Sequence, residues 1–96
     1  MNFEWDSAKS TLNFIRRGVS FERAVLVFGG PHLIRRDRRR DYGEDRYIAV
    51  GASDGICFTV VFTDRIDSTG LPIRRIISLR RSNRKERRDY EKNYDG

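Results

Sequence analysis

The chain has 96 residues with 20 Lys and Arg against 14 Asp and Glu, a net charge of +6, and its length fits one domain with a small core. Its one cysteine and one histidine exclude a disulfide framework and a Cys/His zinc site, and no apolar run approaches the ~20 residues of a membrane span. The basic balance suits RNA, DNA or an acidic protein partner.

In chain order, Phe3-Glu4-Trp5 reads as a very short strand. The same N-terminal stretch lacks the basic and apolar regions of a signal peptide, and the lone thiol fits a reducing cytoplasm. Asp6 is an N-cap, and Ala8, Leu12 and Ile15 follow at i, i+4, i+7, the expected core face of a helix ending near Gly18. Ser20 is a second N-cap, with Phe21, Ala24, Val25 and Phe28 as the stripe of a second helix that Gly29-Gly30-Pro31 stops. Leu33 and Ile34 suit the start of a strand, and 37–45 is a polar loop holding Arg38-Arg39-Arg40.

Strands are then predicted over 46–53 and 56–65, joined by the hairpin turn Asp54-Gly55. In the second, Ile56, Phe58, Val60 and Phe62 alternate with Cys57, Thr59, Val61, Thr63 and Arg65. After a loop over 66–72 comes a strand over 73–81. Asn83 and Glu86 form a capping box for a last helix, in which Tyr90 and Tyr94 stack at i, i+4. The order predicts a single α+β domain over 1–96: two N-terminal helices, an antiparallel sheet of three to four strands, and a C-terminal helix. The helices should cover the Phe58 face. The face with Thr59, Thr63 and Arg65 should stay open and, if the next strand pairs in phase, should also carry Arg74, Ile76, Ser78 and Arg80.

From Arg74 to Arg88 there are eight Lys or Arg against one acid, a local excess larger than the whole chain's. Arginine forks suit phosphate. Cleavage of an RNA phosphodiester needs a base for the 2′-hydroxyl, cations for the phosphorane oxygens and an acid for the leaving oxygen. Arg65 and Arg80 are the candidate phosphate clamps, and Ser78 is a candidate donor. Arg75 falls on the opposite face from Arg80 in a regular strand. Glu44 and Glu22 are the candidate acids for proton transfer, each also explained by a surface ion pair. His32 suits a turn, and Cys57 a core position. The sequence shows no metal-ligand cluster, no phosphate-binding glycine loop and no requirement for a cofactor.

Phe3-Glu4-Trp5-Asp6, Ala8-Lys9, Asn13, Gly18-Val19-Ser20-Phe21-Glu22, Ala24 and Val27-Phe28 resemble the N-terminal half of BrnT-type toxins. Glu44-Asp45-Arg46-Tyr47, Gly51, Thr63-Asp64-Arg65, Arg75-Ile76-Ile77-Ser78-Leu79-Arg80, Glu86-Arg87-Arg88 and Tyr90-Glu91 resemble the rest. The resemblance implies a RelE-like fold and a bacterial ribonuclease that blocks translation. It also implies a BrnA-like ribbon-helix-helix antitoxin, through which the complex reaches operator DNA. It places family arginines at Arg65 and Arg80 and adds Arg46 and Arg17 to Ser78 and Arg75 as substrate-binding candidates. Two departures stand out: Arg16-Arg17-Gly18 where the family commonly has Lys-His before glycine, and the longer loop over 66–72. Two other readings fit the sequence: a basic module, or decayed toxin, that binds nucleic acid without cutting it, and a structural protein whose basic strip docks an acidic partner.

Overall fold

Alternation along β4 (Ile56–Ile66) sets up the whole molecule. Phe58, Val60 and Phe62 on one face are buried in the main core, while Thr59 and Thr63 on the other are also buried. Asp54 and Gly55 both adopt positive φ, and this tight turn folds β4 back on β3 (Tyr47–Ser53). Beyond β3 lies antiparallel β2 (His32–Arg36), and on the other flank of β4 lies antiparallel β5 (Pro72–Arg81). The structure is a computed structural model that describes residues 1–94, the side chain of Tyr94 excepted, so the expected Tyr90–Tyr94 stack lies outside the described residues.

The sheet corrects one expectation. It has five strands in the order β1-β5-β4-β3-β2, not three or four, and it is mixed. β1 (Asn2–Trp5) pairs in parallel with the outer edge of β5. The short strand read at Phe3-Glu4-Trp5 is present, but four residues carry no sign of their partner, and the open edge of β5 supplies the hydrogen bonds that hold it in the sheet.

Helices α1 (Ser7–Arg17) and α2 (Glu22–Phe28) lie on the Phe58 side, as predicted. Asp6 caps α1 by accepting from the N–H groups of Ala8 (2.9 Å) and Lys9 (3.2 Å), and Gly18 closes it in the left-handed region. Phe21, Ala24 and Val27 of the second segment enter the core with Val60, Phe62, Ile76 and Leu79. Phe21, not Ser20, occupies the N-cap of α2, and it makes no side-chain cap bond. Gly51 gives α2 room: a Cβ there would stand 3.0 Å from both Val27 Cγ1 and His32 Cβ.

α1 overturns a second expectation. Its predicted core face, Ala8, Leu12 and Ile15, is exposed, and the side turned inward is polar. There Ser10 Oγ accepts from the Phe21 N–H (2.9 Å), and Asn13 donates to the Val19 carbonyl (2.8 Å). Periodicity finds the stripe but not the direction in which it points.

The other sheet face is not open along its length, contrary to expectation. At one end α3 (Arg84–Tyr94) lies against β3, and Thr59 and Ser82 share a hydroxyl bond (2.8 Å). At the other end the loop 37–46 closes at its base through Asp37 N–H to the Arg46 carbonyl (2.8 Å), and Thr63 Oγ1 donates to the Asp45 carbonyl (2.7 Å). The capping box forms as predicted, with Asn83 and Glu86 each accepting the other's N–H at 2.8 Å.

Candidate functional site

A bulge decides which arginines of β5 share a face. Val61 stands opposite Ser78, but its neighbour Phe62 stands opposite Ile76, so Ile77 is the extra residue. Ser78 and Arg80 keep the phase of Val61 and Thr59. Past the bulge the phase flips, and Arg75 joins Thr63 on that same outer face. Arg74 and Ile76 turn to the core side instead, against the expectation of a regular strand. Arg74 there binds Asp64 through two bonds (2.8 and 3.0 Å), and its guanidinium lies over the rings of Phe62 (4.3 Å) and Phe28 (4.7 Å).

The flip places Arg75 beside Arg65, which sits at the end of β4, and Arg46, which precedes β3. Their side chains line one cleft of about 260 Å³ with Lys9, Asp6, Tyr42 and Glu44. Glu44 bridges the arginines, accepting from Arg65 at 3.0 Å and from Arg46 Nε at 3.2 Å. The Arg65 guanidinium holds the Glu44 carboxyl below its ordinary range; burial opposes it, and the Arg46 guanidinium adds a further lowering. Arg75 faces Glu4 of the adjoining strand at 3.5 Å. The Arg46 guanidinium lies 4.2 Å from the centre of the Tyr42 ring, and that of Arg40 lies 5.0 Å away. Three forks and an ammonium around a partly open cleft can hold a phosphodiester and neutralise charge on its oxygens.

Of the sequence candidates, Arg65, Arg75, Arg46 and Glu44 are brought together. Arg80 is not among them. It stands opposite Thr59, four residues along β4 from Thr63 and thus about 13 Å away at ~3.3 Å per residue. Both arms of its fork bind Glu86 (2.7 and 2.8 Å), which ties β5 to α3. Ser78 is half-buried between the two groups and does not line the cleft. Arg17 reaches the Leu79 carbonyl (3.4 Å) at the stretch of β5 that β1 leaves unpaired. Glu22 begins α2 on the opposite side of the sheet, where the Ser20 hydroxyl lowers its pKa. His32 Nδ1 lies 2.8 Å from the Gly30 carbonyl, with its ring edge-on to Phe28, and so belongs to the α2–β2 connection. Cys57 is half-buried in β4.

Tyr42 and Lys9 line the cleft and were missed. An aromatic between arginines in a polar loop was the available signal for Tyr42. Lys9 had none, because only the parallel β1 brings the start of α1 to this edge. Among the described residues no group of three or more His, Cys, Asp or Glu is placed to hold a metal ion. No helix is long and apolar enough to cross a membrane.

A family model for the ribonuclease toxin BrnT of type II toxin-antitoxin systems matches residues 5–86. A comparison with curated proteins gives no match.

Proposed function

The chain belongs to the BrnT family of ribonuclease toxins, and we propose that it cuts RNA in the cleft of Arg46, Arg65 and Arg75. The observation that carries this reading is the Glu44 carboxylate shared by Arg65 and Arg46, with Arg75 turned to the same face by the bulge. There three guanidiniums and the Lys9 ammonium line one cleft of about 260 Å³.

In the proposed reaction the RNA 2′-oxygen attacks phosphorus and the bond to the 5′-oxygen breaks. The products are a 2′,3′-cyclic phosphate and a 5′-hydroxyl. Arg65 and Arg75 hold the non-bridging oxygens, whose charge grows in the transition state. Glu44 is a counter-ion in the free protein. A substrate phosphate competes for Arg65 and Arg46, and a carboxylate losing those partners becomes more basic. It is then the acceptor for the 2′-hydroxyl proton, which it returns to solvent, and water supplies the proton that the leaving 5′-oxygen takes up. Arg80 stays the clamp between β5 and α3. The same reading includes metal-independent cleavage, a RelE-like fold, arrest of translation in the cytoplasm and neutralisation by a BrnA-like ribbon-helix-helix antitoxin that brings the complex to operator DNA. These finer points are supported by the ordered family motifs.

The test is a 5′-labelled RNA incubated with the protein in EDTA. Arg65→Ala and Arg75→Ala should each lower kcat by roughly 10²–10³-fold, with cyclic phosphate ends on the fragments made by the parent. Ends bearing a 3′-hydroxyl, or unchanged cleavage by the folded variants, would reject the assignment. A second reading is a module that binds RNA without cutting it. It is favoured by the lowered pKa of Glu44 and by the position of the single histidine on the far side of the sheet. Intact RNA retained by the parent protein, with translating ribosomes present, is its signature.

A further inference from the structure

α1 is amphipathic in the wrong direction for a helix that serves its own core. Its inward side is Ser10, 5% exposed, with Asn13 and Arg17 bonded to backbone carbonyls. Its outward side carries Leu12 and Ile15, 43% and 73% exposed, one turn apart on the helix surface. Phe14, 57% exposed, shares a shallow groove with Leu26 of α2, also 57% exposed. A single exposed leucine has no meaning, but a helix that buries hydroxyl and amide groups while presenting Leu, Ile and Phe to water marks a contact surface.

The charges say what covers it. Every charged residue within α1 is basic: Lys9, Arg16 and Arg17. A second copy of the chain on a two-fold axis would set these cations against one another. An acidic partner gains from the same arrangement. The helix of 11 residues is about 16 Å long at ~1.5 Å per residue, which matches about three turns of a partner helix.

We propose that the outer face of α1 is the docking surface for an acidic amphipathic helix of the antitoxin, a proposal that rests on the toxin reading of the chain. The partner's apolar stripe covers Leu12 and Ile15, and its carboxylates meet Lys9 and Arg16. Lys9 also lines the RNA cleft. A carboxylate held there repels the phosphate backbone, so docking on α1 inhibits at the cleft rim without filling the cleft.

The experiment measures two properties of the full chain: affinity for purified cognate antitoxin, by calorimetry, and cleavage of labelled RNA. The variants are Leu12→Ser with Ile15→Ser, which remove the apolar anchors without adding a carboxylate beside Lys9, and Ile15→Ser alone as the gentler change if the first fails to fold. The double variant should bind antitoxin at least ~100-fold more weakly, in line with two central apolar anchors. The single variant should lose roughly 10-fold, and both should cut RNA at the parent rate. Parent-level antitoxin binding by a folded variant overturns the proposal. So does a parent protein that sediments as a dimer and becomes monomeric in the variants, since the face is then covered by a second copy. Loss of cleavage with binding intact also overturns it. If the parent cuts no RNA, the cleavage assignment fails while the antitoxin measurement still decides the docking surface.

Discussion

Asp37 shows how much one side chain contributes at the cleft. Its carboxylate is 4% exposed at the base of the 37–46 loop and takes three bonds from Arg39: two from the guanidinium (both 2.8 Å) and one from the backbone N–H (3.2 Å). The Arg39 bond is the main reason its pKa lies far below the usual range, and burial opposes it. A carboxyl with a depressed folded pKa adds stability that is complete above its unfolded pKa, near 4, and fades as the pH falls below that value. Asp37→Asn should therefore cost about 2 kcal/mol at pH 7, and the gap to the parent should narrow steadily below about pH 4. Urea titrations at pH 7 and pH 3 measure this; a gap of constant size would remove the ion pair from the account. The loop it anchors carries Tyr42 and Glu44, so the variant should also loosen the cleft.

At the scale of elements, the bulge in β5 reconciles two demands. Leu79 and Ile76 both belong in the core although they are three residues apart, an impossible spacing for one face of a regular strand. The extra residue Ile77 resolves it and in the same step turns Arg75 outward to Arg65. Deleting Ile77 should leave Ile76 and Leu79 two residues apart, the spacing of the Phe62 and Val60 they stand opposite, so both should stay in the core of a regular strand. Thermal unfolding should then give a Tm close to the parent's. A loss of the size expected for Leu79→Ala, about 2–5 kcal/mol, would show that the bulge does more than set the phase.

For the whole molecule, the lesson is how the charge is spread. The basic run from Arg74 to Arg88 looks continuous in sequence, but folding divides it. Arg74 goes to the core side with Asp64, Arg75 to the cleft, and Arg80 to Glu86 under α3. Binding of RNA should therefore depend on a few cleft cations and not on the run as a unit. With a 2′-deoxy-blocked single strand, Arg75→Ala should lower the slope of log affinity against log salt by ~0.7, the value for one phosphate contact. Arg80→Ala should leave that slope unchanged while weakening the attachment of α3. Equal slope changes for the two variants would mean that the run acts as one surface.

The sequence by itself determined the α+β class, the hairpin at Asp54-Gly55, the capping box of Asn83 and Glu86, the apolar face of β4 and the family. Each is written in local chemistry: turn residues, caps, period-two alternation or ordered motifs. It also picked Arg65, Arg75, Arg46 and Glu44 among its candidates, although it ranked Arg80 above Arg75. Only the tertiary structure decided the rest. Which way the stripe of α1 points, whether Phe3-Glu4-Trp5 finds a partner strand, and which arginines meet depend on contacts distant in sequence. A single unpaired residue, Ile77, exchanges the faces of every side chain beyond it, and no local pattern specifies where that exchange occurs.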